Sequence, residues 1–130
     1  MKITENFNLS EFQCKCGCKM PYNVEKNIIE LADNLQILRD HLNKPINPTN
    51  GFRCATHNKS VGGVKNSQHI LGKAADIKVK GVSPDEIADA VENLMENGKF
   101  KMGGVGRYNT FTHVDIRGTN ARWNFTNKKR

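Results

Sequence analysis

The stretch Ser67–Glu86 reads S-Q-H-I-L-G-K-A-A-D-I-K-V-K-G-V-S-P-D-E, and three kinds of order follow one another along it. Through Gly72 there is no sustained apolar period, so this part is a loop, with Gly72 at a tight turn. From Ala74 the parity becomes two: Ala75, Ile77 and Val79 share a core face, while Ala74, Asp76 and Lys78 share the opposite one, as a strand requires. Ser83-x-x-Glu86 is then a capping box with Pro84 at the first helical position. It opens a helix whose apolar stripe runs through Ile87, Ala90, Val91 and Leu94 and which Gly98 can terminate. His69 and Asp76 bracket the loop-to-strand junction, with six residues between them that include a glycine and two alanines.

Upstream, Val24, Ile28, Leu31, Leu35, Leu38 and Leu42 step by fours and threes, which predicts an amphipathic helix capped by Asn23 and ending near Asn43, before Pro45. Ile46–Asn50 reads as extended and leads into Gly51-Phe52-Arg53. Residues 55–68 have no sustained period and read as loop with room for one helical turn. Downstream, Met102–Tyr108 reads as a glycine-rich turn or bulged strand. Phe111–Arg117 alternates again, with Val114 and Ile116 on one face and Phe111, His113, Asp115 and Arg117 on the other. No repeat or linker interrupts the 130 residues, so a single α+β domain spanning 1–130 is expected, with a cysteine-bearing segment at 1–20 and a basic tail at 118–130.

Composition narrows the function classes. The chain is 37% hydrophobic and 25% charged, ordinary for a globular protein. It contains no run of 18 apolar residues, and Met1–Phe7 carries no apolar stretch, so neither a membrane partner nor a secretory signal is expected. A net charge of +7 favours acidic partners, whether nucleic acid, anionic lipid or an anionic wall polymer. The basic residues do not interleave with aromatics, and no helix-turn-helix or zinc-finger spacing occurs, so nucleic acid is disfavoured.

His69, Asp76 and His113 supply two imidazoles and a carboxylate, the donor set of a zinc site whose fourth position is left to water. Zinc there would bring the water's acidity near neutral and polarise a carbonyl, chemistry suited to hydrolysing an amide. Periodicity and spacing alone leave this site evenly matched with a simple surface pair.

The motif Ser67-x-His69-x-x-Gly72-x-Ala74-x-Asp76 resembles the signature of the M15 peptidase family, zinc peptidases that include D-alanyl-D-alanine carboxypeptidases and phage L-alanyl-D-glutamate endopeptidases. Gly51–Asn58, Val61–His69, Gly103–Tyr108 and Phe111–Arg117 are similar to the short form of that family, and Leu9–Cys18 to its usual opening. The resemblance covers about Phe7 to Arg117. It implies a small α+β fold with a central antiparallel sheet carrying one catalytic zinc ion, and helices packed on the other face. It implies His69, Asp76 and His113 as metal ligands. Arg53 is implied to hold a substrate carboxylate or carbonyl, and Ser67 to be a supporting or substrate hydrogen-bond donor. Many relatives place their acidic base three residues before the last ligand histidine; Thr110 stands there in this chain, so that role does not transfer. Asp115 is the nearest catalytic candidate to accept a proton, unless it orients an imidazole or pairs with Arg117. His57 is a site-edge group or a packing residue.

The resulting expectation is a monomeric zinc metallopeptidase that hydrolyses an amide bond in peptidoglycan stem peptides, as a D-Ala-D-Ala carboxypeptidase or an L-Ala-D-Glu endopeptidase. A phage endolysin, made in the cytoplasm and reaching the wall after release or export, fits the unsignalled N-terminus. The alternatives are a non-catalytic, zinc-containing wall-binding or phage structural module, and a basic nucleic-acid-associated protein. Cys14, Cys16 and Cys18 on alternate residues fit poorly the usual two-to-four spacing of zinc ligands, so a disulfide to Cys54, or free thiols, is expected over a second metal.

Overall fold

A computed structural model describes residues 1–126 of the chain; residues 127–130, the end of the expected basic tail, lie outside the described residues. The chain is α+β. Five strands, β1 (Asn47–Asn50), β2 (Ala74–Lys78), β3 (Gly104–Arg107), β4 (Thr112–Asp115) and β5 (Ala121–Asn124), form one sheet in the order β1-β2-β4-β3-β5. Neighbours are antiparallel except at one edge, where β5 runs parallel to β3. The helices are α1 (Tyr22–Leu42), α2 (Ala55–Ser60) and α3 (Pro84–Glu96), preceded by a 3-10 turn at Leu9–Phe12.

The apolar spacing fixes which faces meet. Val24, Ile28, Leu31, Leu35 and Leu38 of α1 are buried as the fours-and-threes stripe requires. They share one core with Ile87, Val91 and Leu94 of α3 and with Ala75, Ile77, Val105, Val114 and Ile116 of the sheet. A side chain such as Ile77 or Leu35, fully enclosed there, stabilises the fold by about 1.5–3 kcal/mol relative to exposure. Strand parity then sends Asp76 and His113 to the opposite face.

Helix boundaries follow local chemistry, with one departure. The α3 capping box forms as expected: the Glu86 N–H donates to Ser83 Oγ at 3.1 Å, and the Ser83 N–H donates to Glu86 Oε1 at 3.2 Å. Asn43 ends α1 in the left-handed region (φ 53°), its N–H reaching the Arg39 carbonyl at 2.9 Å. Asn23, however, is not the N-cap. The helix begins at Tyr22 after Pro21, whose extended backbone (φ −64°, ψ 153°) starts the turn and whose carbonyl accepts the Glu25 N–H at 2.9 Å. Pro48 is accommodated because β1 is an edge strand.

Two other segments are more ordered than their composition suggests. Residues 55–60 make a continuous short helix. The buried Asn58 extends that order by donating from Nδ2 to the Val64 carbonyl at 2.8 Å, tethering the following loop. Inside the stretch read as a basic tail, Ala121–Asn124 is strand β5. The N-terminal segment is integral to the fold: Phe12 is fully buried, and its carbonyl accepts the Phe52 N–H at 2.8 Å. All four cysteines are free, so no disulfide ties that segment to Cys54.

Across the sheet, Arg107 is 7% exposed and joins β3 to α3 through Asp85 (3.1 Å), Asp89 (2.7 Å) and Glu92 (2.8 Å). Thr112 Oγ1 adds a bond to the Pro84 carbonyl at 2.7 Å. Together they fix α3 against β3 and β4, the strands that carry one end of the polar face.

Candidate active site

The segment before β2 is wound into overlapping turns. N–H groups of Ile70, Leu71 and Gly72 donate to the carbonyls of Ser67, Gln68 and His69 at 3.1–3.3 Å. Gly72 closes them with φ +75°, a conformation costly for other residues. Ser67 Oγ accepts the His69 N–H at 3.1 Å, so the motif serine shapes the turn that presents the histidine. His69 is 2% exposed, and its Nδ1 lies 2.8 Å from the Gly51 carbonyl. That bond puts the ring proton on Nδ1 and leaves the Nε2 lone pair facing Asp76.

Asp76 and His113 are directly opposed partners in the β2–β4 register. Cross-strand partners on one face have Cβ atoms about 5 Å apart, so strand pairing alone delivers two donors to one point. Asp76 Oδ1 lies 3.3 Å from His69 Nε2 and 3.2 Å from His113 Nδ1. The edge of a tetrahedron built on zinc bonds to nitrogen and oxygen is about 3.3 Å, so these separations suit the three ligands of one ion. Donor atoms of His69, Asp76 and His113 all lie within 4.8 Å of one another. The three expected metal ligands therefore converge, and their donor chemistry and spacing fit zinc.

Asp115 has a different position. It is fully buried and absent from the cleft wall. Its Oδ2 accepts from His113 Nε2 at 2.8 Å and Arg117 Nη2 at 2.7 Å. Its Oδ1 accepts from the Gly104 N–H at 2.7 Å and Arg117 Nε at 2.9 Å. The slot for this carboxylate exists because Gly104 has no side chain; a Cβ there would overlap it. With its lone pairs committed and no path to the cleft, Asp115 holds His113 by Nε2 and leaves Nδ1 toward Asp76. This geometry counts against the proton-acceptor role and for the orienting one.

The electrostatics favour a cation at this point. Burial alone would raise the Asp76 pKa, but hydrogen bonds to His113 and His69 hold its carboxyl well below the ordinary range. Burial likewise opposes ionisation of Asp115, and His113, Arg117 and the Gly104 N–H reverse the effect. For His113, burial disfavours the charged ring, yet Asp115 and Asp76 raise its pKa overall.

The ligands sit on the floor of a cleft of roughly 530 Å³. Arg53 lines it; Nη2 lies 3.5 Å from Ser67 Oγ, while the buried Nε has no hydrogen-bond partner among the described residues. A guanidinium on the cleft wall offers the planar donor fork on which an anionic group docks. Across from it stands an aromatic wall. Tyr108 stacks on Phe111 with centroids 4.3 Å apart, and Trp123 lies 4.9 Å from the His113 ring. The Trp123 Nε1–H donates to Tyr108 Oη at 2.9 Å. Trp123 can lie across β3 only because Gly106 is bare; a Cβ there would strike the indole.

Tyr108 and Trp123 were outside the sequence-based site. The available signal was weak: the chain's single tryptophan, three residues into a four-residue strand flanked by arginine and asparagine. His57 lies half-buried in α2 and does not line the cleft. Among the described residues Asp76 is the only acidic one on the cleft wall, consistent with threonine at position 110.

A family model described as Peptidase M15 matches residues 5–115. The chain is 34% identical over 101 residues to the probable peptidoglycan L,D-endopeptidase MepK of Haemophilus influenzae, covering 72% of this chain and 51% of that protein. It is 37% identical over 83 residues to the zinc D-Ala-D-Ala carboxypeptidase of Streptomyces albus G, covering 62% of this chain and 31% of that protein. The chain thus spans about half the length of one relative and a third of the other.

Proposed function

The chain belongs to the M15 family of zinc peptidases, and from that premise we propose that it hydrolyses an amide bond in the stem peptides of peptidoglycan. The observation that carries the proposal is the convergence of His69 Nε2, Asp76 Oδ1 and His113 Nδ1 at the base of a cleft that Arg53 also lines. Those three residues would hold zinc, which when bound would polarise a scissile carbonyl and acidify a water. The protein's own groups supply the rest.

Arg53 receives a carboxylate or carbonyl of the stem peptide on its planar fork, fixing the scissile bond relative to the ligands. The Gly51 carbonyl and the Asp115 carboxylate hold the imidazole protons on the outer nitrogens, so both inner lone pairs remain available. Tyr108 accepts from Trp123, so its own O–H remains to donate toward developing negative charge at the substrate. The aromatic wall, with exposed Val61 and Val64 on the facing rim, narrows the cleft and excludes water from one side of the peptide. Asp115 acts in this scheme as a positioning residue. The relatives' names support either a carboxypeptidase or an endopeptidase bond. A net charge of +7 supports delivery to an anionic wall, where the endolysin role belongs.

One observation favours a second reading: among the described residues no acid other than Asp76 lines the cleft, as a module that binds wall peptides without turning them over would also have it. Mass spectrometry of muropeptides before and after incubation separates the two. The expected result is a new pair of fragments that identifies the bond and disappears with chelator. Intact muropeptides at saturating zinc would overturn the hydrolase and leave the binding module.

A further inference from the structure

Outside the lining of the cleft, Cys14, Cys16, Cys18 and Cys54 bring their four sulfur atoms within 4.8 Å of one another. The separations recorded between them are 3.3 Å (Cys14–Cys16), 3.6 Å (Cys16–Cys54) and 3.8 Å (Cys14–Cys54). A tetrahedron with zinc–sulfur bonds of 2.3 Å has an edge of about 3.8 Å, so the cluster is close to the size of a four-thiolate cage. From these distances we propose that the four cysteines hold a second, structural metal ion, a soft divalent cation of the zinc class.

Three further features agree. The C-x-C-G-C spacing is too short for an ordinary ligand pair along a regular backbone, but the chain turns back on itself. The Gly17 N–H donates to the Cys14 carbonyl at 3.0 Å, and Gly17 takes φ +84° with open space around it. Main-chain N–H groups point at two of the sulfurs: Cys54 N to Cys14 Sγ and His57 N to Cys54 Sγ, each at 3.4 Å. Such donors stabilise a thiolate and do little for a neutral thiol. Lys15 and Lys19 alternate with the cysteines in sequence and offset the surplus negative charge of a four-thiolate site. On binding, each thiol releases its proton to solvent and donates a sulfur lone pair to the ion, with no change in oxidation state.

The site joins two segments 36 or more residues apart in the chain, Cys14–Cys18 and Cys54. Cys54 directly follows Arg53, whose main-chain N–H is bonded to the His69 carbonyl at 3.0 Å. A closed metal cage here pins the N-terminal segment beside the cleft and fixes the backbone of its arginine. The inference does not rest on the peptidase reading.

The test is metal analysis of the full chain purified under reducing conditions, together with cobalt substitution. The expected results are two zinc ions per chain and a sulfur-to-cobalt charge-transfer band. The His113→Ala chain keeps that band and one ion; the Cys16→Ser/Cys18→Ser chain loses the band and one ion. Because a serine variant can misfold, thiol reactivity is measured on the unaltered chain. Zinc slows modification of all four cysteines by an order of magnitude or more, and a strong chelator restores it. One ion per chain with four freely reactive thiols, absence of the cobalt–sulfur band, or a disulfide found by mass spectrometry would overturn the proposal. Failure of the His69–Asp76–His113 site alone would leave the cobalt–sulfur signal in place.

Discussion

The division of labour between Asp76 and Asp115 can be tested by conservative substitutions. Both carboxylates touch His113, but only Asp76 shares the convergence point, whereas Asp115 touches the outer nitrogen. Asp115→Asn is expected to retain the fold and to weaken zinc affinity about 10–100-fold, measured by chelator competition. Muropeptide cleavage then returns when zinc is supplied in excess; cleavage that stays lost at saturating zinc would restore Asp115 as the proton acceptor. His113→Ala, by contrast, removes a ligand, and neither this ion nor hydrolysis is recovered by added zinc. For Arg53, replacement by lysine keeps the charge and discards the fork. The expected outcome is a KM raised about tenfold or more with a smaller change in kcat, read from initial rates on a purified stem peptide.

Strand pairing explains why so much of the centre was legible in the chain. Parity alone put Asp76 and His113 on the non-core face, and antiparallel pairing of β2 with β4 made them opposite partners. The helices announced themselves through the α1 stripe and the Ser83–Glu86 box. What stayed hidden was short or borrowed. β5 has four residues and half-exposed side chains, so no alternation exceeds the background. The glycines at 104 and 106 read only as part of a turn or bulged strand, because their purpose, admitting Asp115 and Trp123, lies in other strands. The cysteine cluster was obscured by spacing that only the turn at Gly17 resolves. Arg107 shows the same dependence on partners. Its charge is enclosed by Asp85, Asp89 and Glu92 of α3, so Arg107→Met leaves three carboxylates crowded together. A loss of about 2–3 kcal/mol in urea-induced unfolding is expected; a change below about 0.5 kcal/mol would show the pairing to be merely superficial.

The molecule as a whole gathers its cation-binding groups from segments that would separate on unfolding. His69 precedes β2, Asp76 lies within it, and His113 comes from β4, so a bound ion favours the folded state alone. Stripping metal should therefore lower the midpoint of thermal unfolding by on the order of 10 °C, seen by calorimetry with and without chelator. An unchanged midpoint would mean that these residues hold no ion. The edge strand β5 has a consequence for engineering. It contributes Trp123 to the cleft yet touches the sheet only along β3. Selectivity can therefore be rewritten by substitutions within this ribbon while the Asp76–His113 pair, carried by β2 and β4, keeps its scaffold.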